Sequence, residues 1–210
     1  MSNGLKVKKR NGRGVEPLDL DKIHVMAEEA CKGLAGVSAS QVEIQSGIQF
    51  YDGITTAEIQ GILVKSASDL ISLDVPNYQY VAARLLLFGL RKNLYGRIHE
   101  VPVLIDQIQR GVGKGIYDED ILKKYSAKEI ETLDNTIDHE RDYLFTYAGL
   151  RQVVDKYLVQ DRSTGEVYET PQFMYMLIAM TIFAEYPPES RLDYVTRYYN
   201  AISRHKINIP

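Results

Sequence analysis

The 210-residue chain has no tryptophan, a single cysteine, four histidines and no long apolar run. Cys31 alone excludes an internal disulfide and a cysteine-based zinc cluster, which leaves a small core residue on the buried side of the first helix as its expected role. His24, His99, His139 and His205 are scattered, with no His-Glu-x-x-His pair and no nucleophile elbow. His139-Glu140-Arg141-Asp142 lacks a second histidine four residues on, so it reads as a structural ion-pair site rather than a metal site. No stretch approaches the ~18 apolar residues of a membrane span, and the N-terminus lacks the apolar segment of a secretion signal. The expectation is a cytoplasmic protein without a membrane. Charge of one sign is missing too. The net value of −3 from 25 Lys+Arg and 28 Asp+Glu argues against general nucleic-acid binding.

What is present is the composition of a folded protein, with 45% hydrophobic residues and 15 tyrosines whose polar tips suit partly buried surfaces. The most informative stretch runs from Lys8 to Ile23. Asn11-Gly12 and Gly14 supply the backbone freedom of a tight hairpin turn, flanked by Leu5, Val7 and Val15, so a two-stranded ribbon is expected. Five cations, Lys6, Lys8, Lys9, Arg10 and Arg13, precede the first acid, Glu16. Asp19 or Asp21 then occupies an N-cap position, with Ile23, Met26, Ala27 and Ala30 at helical spacing behind it. Basic arms are commonly just solvated, but cations beside a helix start attract anions, a nucleotide phosphate above all.

Further along, Ser38-x-x-Gln41 has the form of a capping box, opening a helix with Val42, Ile44, Ile48 and Phe50 as its apolar face and Gly53 as its stop. Thr55-Thr56-Ala57-Glu58 opens a third helix through about residue 72, and a fourth runs from about Asn77 to Tyr95 after Val75-Pro76. Gly96, Pro102 and three glycines at 111, 113 and 115 suggest a linker between 97 and 117. Beyond it, helices are expected at 118–124, 126–134, 137–157, 172–185 and 189–203, with a β-hairpin over 157–169 and an extended tail at 206–210. The fold class is therefore mainly α. A small β-hairpin sits on a four-helix unit over residues 1–96, and a second, mostly helical domain with one β-hairpin fills 97–210.

On the fourth helix Arg84, Arg91 and Lys92 lie seven and eight residues apart, near one helical face. If that helix packs under the hairpin, Lys9 and Lys92 approach one phosphate chain from opposite sides, while Thr55 and Thr56 at the third helix start add neutral donors. Glu16 and Asp19 are then placed to accept from an exocyclic amine or a ribose hydroxyl.

These residues carry a resemblance to a known family. Lys9-Arg10-Asn11-Gly12, Glu16 to Ile23, Phe50-Tyr51-Asp52-Gly53-Ile54-Thr55-Thr56, Asp69 to Ser72, Tyr78 to Arg84 and Leu90-Arg91-Lys92 resemble the ATP-cone of the class I ribonucleotide reductase large subunit. Asp138 to Asp142, Lys156 to Val159, Thr164 to Glu169 and Pro171-Gln172-Phe173 resemble the helical domain that follows it. The resemblance implies allosteric control of deoxyribonucleotide synthesis for DNA replication, with ATP or dATP, accompanied by Mg2+, as effector. The implied contacts are Lys9, Glu16, Pro17, Leu18, Asp19, Leu20, Asp21, Lys22, Thr56 and Lys92. Two positions depart from the family pattern: Gln60 stands where many members have His, and Asp19 where Asn is frequent. The family continues into a ten-stranded barrel with the redox and radical cysteines. Those cysteines are absent from these 210 residues, which are expected to be non-catalytic alone. The implied partners are the remainder of the large subunit and the small, radical-carrying subunit, in an oligomer. Two alternative readings are a stand-alone nucleotide-binding regulator, disfavoured by the single cysteine and acidic balance, and an inert interaction fragment.

Overall fold

A computed structural model describes residues 4–9, 12 and 14–207. Two compact units emerge, one made of Met1–Leu90 with Phe145–Arg151 and the other of Arg91–Leu144 with Gln152–Pro210. The architecture is mainly α, as the sequence leads one to expect, and among the described residues no helix is long and apolar enough to cross a membrane.

In the first unit β1 (Lys6–Lys8) pairs antiparallel with β2 (Val15–Pro17), Val7 lying opposite Glu16. The turn is closed by the Lys9 amide on the Gly14 carbonyl at 3.0 Å and by Gly12 at a φ of 69°, a left-handed value that favours glycine. Asn11, Arg10 and Arg13 lie outside the described residues. The ribbon is not two-stranded. A third strand, β3 (Ile54–Thr55), joins the other edge of β1 in parallel, with Val7 opposite Ile54 and Lys8 opposite Thr55. A two-residue strand has no periodicity to reveal it; it is held instead by a link distant in sequence, in which the Lys6 amide donates to Asp52 at 2.8 Å and the Gly53 amide to the Lys6 carbonyl at 2.8 Å.

Four helices accompany the sheet: α1 (Leu20–Cys31), α2 (Ala39–Gly47), α3 (Thr56–Asp69) and α4 (Tyr78–Tyr95), the unit boundary falling inside α4 after Leu90. The expected α1 stripe of Ile23, Met26, Ala27 and Ala30 is buried, as are Ile59, Leu63 and Ala67 of α3. Thr55 and Glu58 form the expected capping box at the start of α3. The box expected at α2 does not form. Its two members instead serve Tyr78, whose hydroxyl accepts from the Ser38 amide at 3.0 Å and donates to Gln41 at 2.5 Å. Nor is the α2 apolar face as expected: Val42 is fully buried, yet Ile44 and Ile48 are 70% and 84% exposed, and Ser46 takes the second buried place.

The second unit contains α5 (Leu104–Gly113), α6 (Asp120–Lys124), α7 (Ala127–Asp134), α9 (Pro171–Ile182) and α10 (Pro188–Ile202), while α8 (Tyr147–Gln152) runs from the first unit into the second. Helix α5 occupies about half of the stretch expected as a linker. Gly111 belongs inside it because the Tyr117 ring lies only 2.1 Å from where a Cβ would stand, so the glycine marks close packing rather than a break. The Ser126 capping box of α7 forms as expected.

The long helix expected over 137–157 is broken into a 3-10 turn (His139–Leu144), α8 and a π-turn (Val153–Tyr157). Arg141 and Asp142 are adjacent yet both buried. The Arg141 guanidinium bonds Ser203 at 2.6 Å and Asn200 at 2.9 Å, while Asp142 meets Arg91 at 3.1 Å and Gln172 at 3.0 Å. The hairpin expected over 157–169 reduces to one antiparallel bridge, Gln160 with Val167, around a turn at Gly165. Helix α9 stops at Ile182 rather than 185, and residues 208–210 of the expected extended tail lie outside the described residues.

Candidate functional site

Local backbone chemistry assembles the site from β1, β2 and the start of α1. Pro17 ends β2, and the Leu18 amide returns to the Leu5 carbonyl at 2.7 Å, which turns the chain away from the sheet. Asp19 is the N-cap of α1: its carboxylate accepts from the amides of Asp21 at 3.1 Å and Lys22 at 3.3 Å. That settles the choice between Asp19 and Asp21. Leu20, Asp21 and Lys22 then form the first turn of α1, in which Leu20 is 63% exposed.

Four charged side chains meet there. Lys9 contacts Glu16 at 2.9 Å, Lys22 contacts Asp19 at 3.2 Å, and Lys22 also lies 4.0 Å from Glu16. The Lys9 hydrogen bond holds the Glu16 carboxyl below its ordinary range, and Lys22 does the same for Asp19. Lys22 itself is raised, chiefly by Asp19. All four groups border solvent, where such pairs contribute little stability and exchange partners readily. Two ammonium groups and two carboxylates are thus held beside a helix N-terminus by contacts a stronger anion can replace.

On the other edge of β1, the β3 pairing brings in the start of α3. Thr56 is its first residue and half-buried. The Thr55 hydroxyl donates to Glu58 at 2.7 Å and accepts from the Glu58 amide at 3.1 Å, so it is committed to the cap. Those bonds and Tyr51 bring the Glu58 carboxyl down to about 2.

The cations of the fourth helix have separate fates. Arg84 caps the end of α1, donating to the carbonyls of Ala30 at 3.1 Å and Lys32 at 2.6 Å. Arg91 is 2% exposed and paired with Asp142. Neither belongs with a phosphate group, and helical spacing could not show this because the partners lie 52 and 51 residues away. Lys92 stands half-buried in the last turn of α4.

Gln60 has a structural duty the sequence does not signal. It is 6% exposed, donates to the Leu85 carbonyl at 2.7 Å, and its Cγ lies 2.9 Å from where a Cβ on Gly89 would stand. His139 is half-buried, its ring edge-on to Phe173 at 4.9 Å, and desolvation lowers its pKa to about 4. Among the described residues no three His, Cys, Asp or Glu side chains are grouped to hold a metal. Cys31 is half-buried and burial pushes its thiol up to about 11, which makes it inert.

Comparison with known proteins finds two matching domain families. The ATP cone domain matches residues 5–93, and the ribonucleotide reductase all-alpha domain matches residues 143–210. The chain is 50% identical over its whole length to ribonucleoside-diphosphate reductase 1 subunit alpha of Escherichia coli, of which it covers 27%. It belongs to the N-terminal, ATP-cone-bearing region of the ribonucleotide reductase large-subunit family. The Haemophilus influenzae subunit alpha is 49% identical over all 210 residues, and that of phage T4 is 47% identical over 177 residues, 83% of this chain and 23% of its own. The chain therefore spans about a quarter of the length of the relatives it matches. An ATP cone is a nucleotide-binding allosteric domain, and residues 5–93, with the charged cluster at their start, are one.

Proposed function

We propose that the cluster of Lys9, Glu16, Asp19 and Lys22 is an effector site for ATP or dATP, and that the chain is the activity-regulating portion of a ribonucleoside-diphosphate reductase large subunit working in the cytoplasm. The observation that carries this reading is the meeting of both lysines and both carboxylates at the N-terminus of α1. The residues fit the ligand. A triphosphate, with its Mg2+, takes the ammonium groups of Lys9 and Lys22 from their present partners. Glu16 and Asp19, relieved of those lysines, accept from ribose or base, and Thr56 adds a hydroxyl from the far edge of β1. Pro17, Leu18, Leu20 and Asp21 shape the wall between.

The reading extends to the assembly. Residues 1–96 act as the regulatory module, 97–210 as the start of the helical scaffold. The effector's binding biases how the remainder of the large subunit and the small, radical-carrying subunit associate.

Thermal melting in millimolar ATP tests this directly, because a ligand bound only to the folded state stabilises by mass action, about 2.7 kcal/mol at a hundredfold excess over Kd. The expected result is a raised Tm with ATP that is lost when Lys9→Ala and Lys22→Ala are combined. No shift, or an equal shift in the double variant, overturns the proposal.

A further inference from the structure

His24 lies on α1 in the turn that follows the charged cluster, and both of its ring nitrogens face carboxylates. Nδ1 is 2.7 Å from Oε1 of Glu43 on α2, and Nε2 is 3.2 Å from Oε1 of Glu28, one turn further along α1. A carboxylate only accepts, and a neutral imidazole carries a single N–H. The neutral ring can therefore satisfy one of these neighbours and must turn a lone pair on the other. Only the imidazolium donates to both.

The other groups around the ring leave this arrangement undisturbed. Asp21 stands one turn before it on α1 and adds negative charge. Lys22 is turned to Asp19 at 3.2 Å, Arg84 is held by the carbonyls of Ala30 and Lys32 at the far end of α1, and the Cys31 thiol, pushed up to about 11, stays neutral. The bond to Glu43, followed by the charge of Glu28, raises the imidazole above its ordinary range, which places its titration near neutral pH.

Position makes that proton relevant to the cluster. At about 1.5 Å of rise per residue, His24 lies about 3 Å along the helix axis from Lys22 and about 7 Å from the Asp19 cap. Both distances fall within the ~10 Å over which charges are felt at ordinary salt. With its proton, the trio of His24, Glu28 and Glu43 carries one negative charge; without it, two. A polyphosphate arriving at the start of α1 meets less repulsion when the ring is charged. The same proton ties two helices together, since the bond to Glu43 runs from α1 to α2.

We propose that His24 is a positioning residue of the effector site: its protonated ring, gripped by Glu28 and Glu43, steadies the first turns of α1 and weakens the negative field there, so that ATP or dATP binds more tightly at acid than at alkaline pH. The proposal rests on the effector reading given above and adds its regulation by protons. Linkage makes the effect reciprocal, because the factor by which the proton raises ATP affinity is the factor by which ATP raises proton affinity at His24. For one charge at this range about threefold is expected, equivalent to raising the titration midpoint by about half a pH unit.

Calorimetric titration of ATP into the 210-residue chain and into His24→Arg and His24→Gln, at pH 6 and pH 8.5, tests this. Arginine keeps the charge at both pH values, glutamine never carries it, and the ionisation of ATP itself is common to all three proteins. The unaltered chain is expected to match His24→Arg at pH 6 and His24→Gln at pH 8.5, the two variants differing by about threefold throughout. Equal affinities for all three at both pH values overturn the proposal. So does an unaltered chain that keeps the same offset from His24→Gln at both, as a merely structural role would give. Proton NMR of the His24 ring, assigned by its loss in His24→Gln, reads the reciprocal effect on the unaltered chain alone. Saturating ATP is expected to raise its midpoint by about half a pH unit, and an unmoved midpoint overturns the proposal. Failure of ATP to bind any of the three removes the effector site and this proposal with it, whereas ATP binding beside an unmoved midpoint removes this proposal alone.

Discussion

Lys9 at the end of β1 reaches across the hairpin to Glu16 on β2, Nζ to Oε2 2.9 Å. In the effector site proposed above, the same carboxylate competes with a phosphate for the lysine and accepts from the nucleoside. Glu16→Gln separates the two roles: it is expected to tighten inorganic tripolyphosphate and weaken ATP, each by about tenfold. Calorimetric titration of both ligands checks this, and parallel changes would show that Glu16 does not read the nucleoside.

Gly89 and Gln60 make a second prediction. A methyl group at position 89 meets the Gln60 Cγ at 2.9 Å, and Gln60 cannot swing away without giving up its 2.7 Å bond to the Leu85 carbonyl. Gly89→Ala is expected to destabilise by about 1–3 kcal/mol despite the better helix propensity of alanine. Combining it with Gln60→Ala should recover much of the loss in urea melts; strict additivity would refute the close contact.

Tyr78 takes the place of a cap for α2. Tyr78→Phe leaves the Ser38 amide without its 3.0 Å acceptor and Gln41 without its donor, at an expected cost of about 1–2 kcal/mol. Urea denaturation measures it, and a neutral result would mean that Ser38 recovers its own capping role.

Arg91 and Asp142 are buried together, 2% and 1% exposed. Burial raises the Asp142 carboxyl to about 6 against the pull of Arg91 and Gln172. Arg91→Met strands that carboxyl and is expected to cost about 3–5 kcal/mol, whereas Arg91→Met with Asp142→Leu should recover most of the loss. If the double variant is no more stable than the single one, the pair contributes more than the cancellation of two buried charges.

The histidines give opposite pH dependences. His139 is held neutral down to about 4, below its ordinary 6.5, so the unfolded chain takes up a proton across that interval and the folded one does not. Stability from this group falls as pH drops from 6.5 to 4, by about 3 kcal/mol in all. His24 is raised, first by its 2.7 Å bond to Glu43 and then by the charge of Glu28, so its contribution is complete below 6.5 and lost as pH rises through its folded value. Urea melts across pH 4–9 are expected to show a shallower acid limb for His139→Phe, and for His24→Gln a loss confined to acid and neutral pH. Unchanged slopes in both variants would contradict the two assignments.

Much of the first unit is legible in the sequence because its signals are local. The Thr55–Glu58 capping box and the stripe from Ile23 to Ala30, like the Ser126–Glu129 box of the second unit, each depend on residues within a few turns of one another. The cluster of Lys9, Glu16, Asp19 and Lys22 is local too, since a tight hairpin and a helix start bring residues 9 to 22 together. Where the sequence misleads, a distant partner has claimed the group. Tyr78 takes Ser38 and Gln41, Ala30 and Lys32 take Arg84, and Asp142 takes Arg91, so propensity and spacing lose to bonds formed across 37 to 54 residues.

By itself, then, the order of residues determines that this is a helical protein with a basic hairpin at its front, the cations placed by turn chemistry before any tertiary contact forms. Which of the chain's cations remain at the surface, and which, like Arg84 and Arg91, are drawn into a cap or a buried pair, is decided only when the helices pack. A buried charge must find its counter-charge or carbonyl wherever the fold brings one, and that partner is set by three-dimensional proximity rather than by sequence separation.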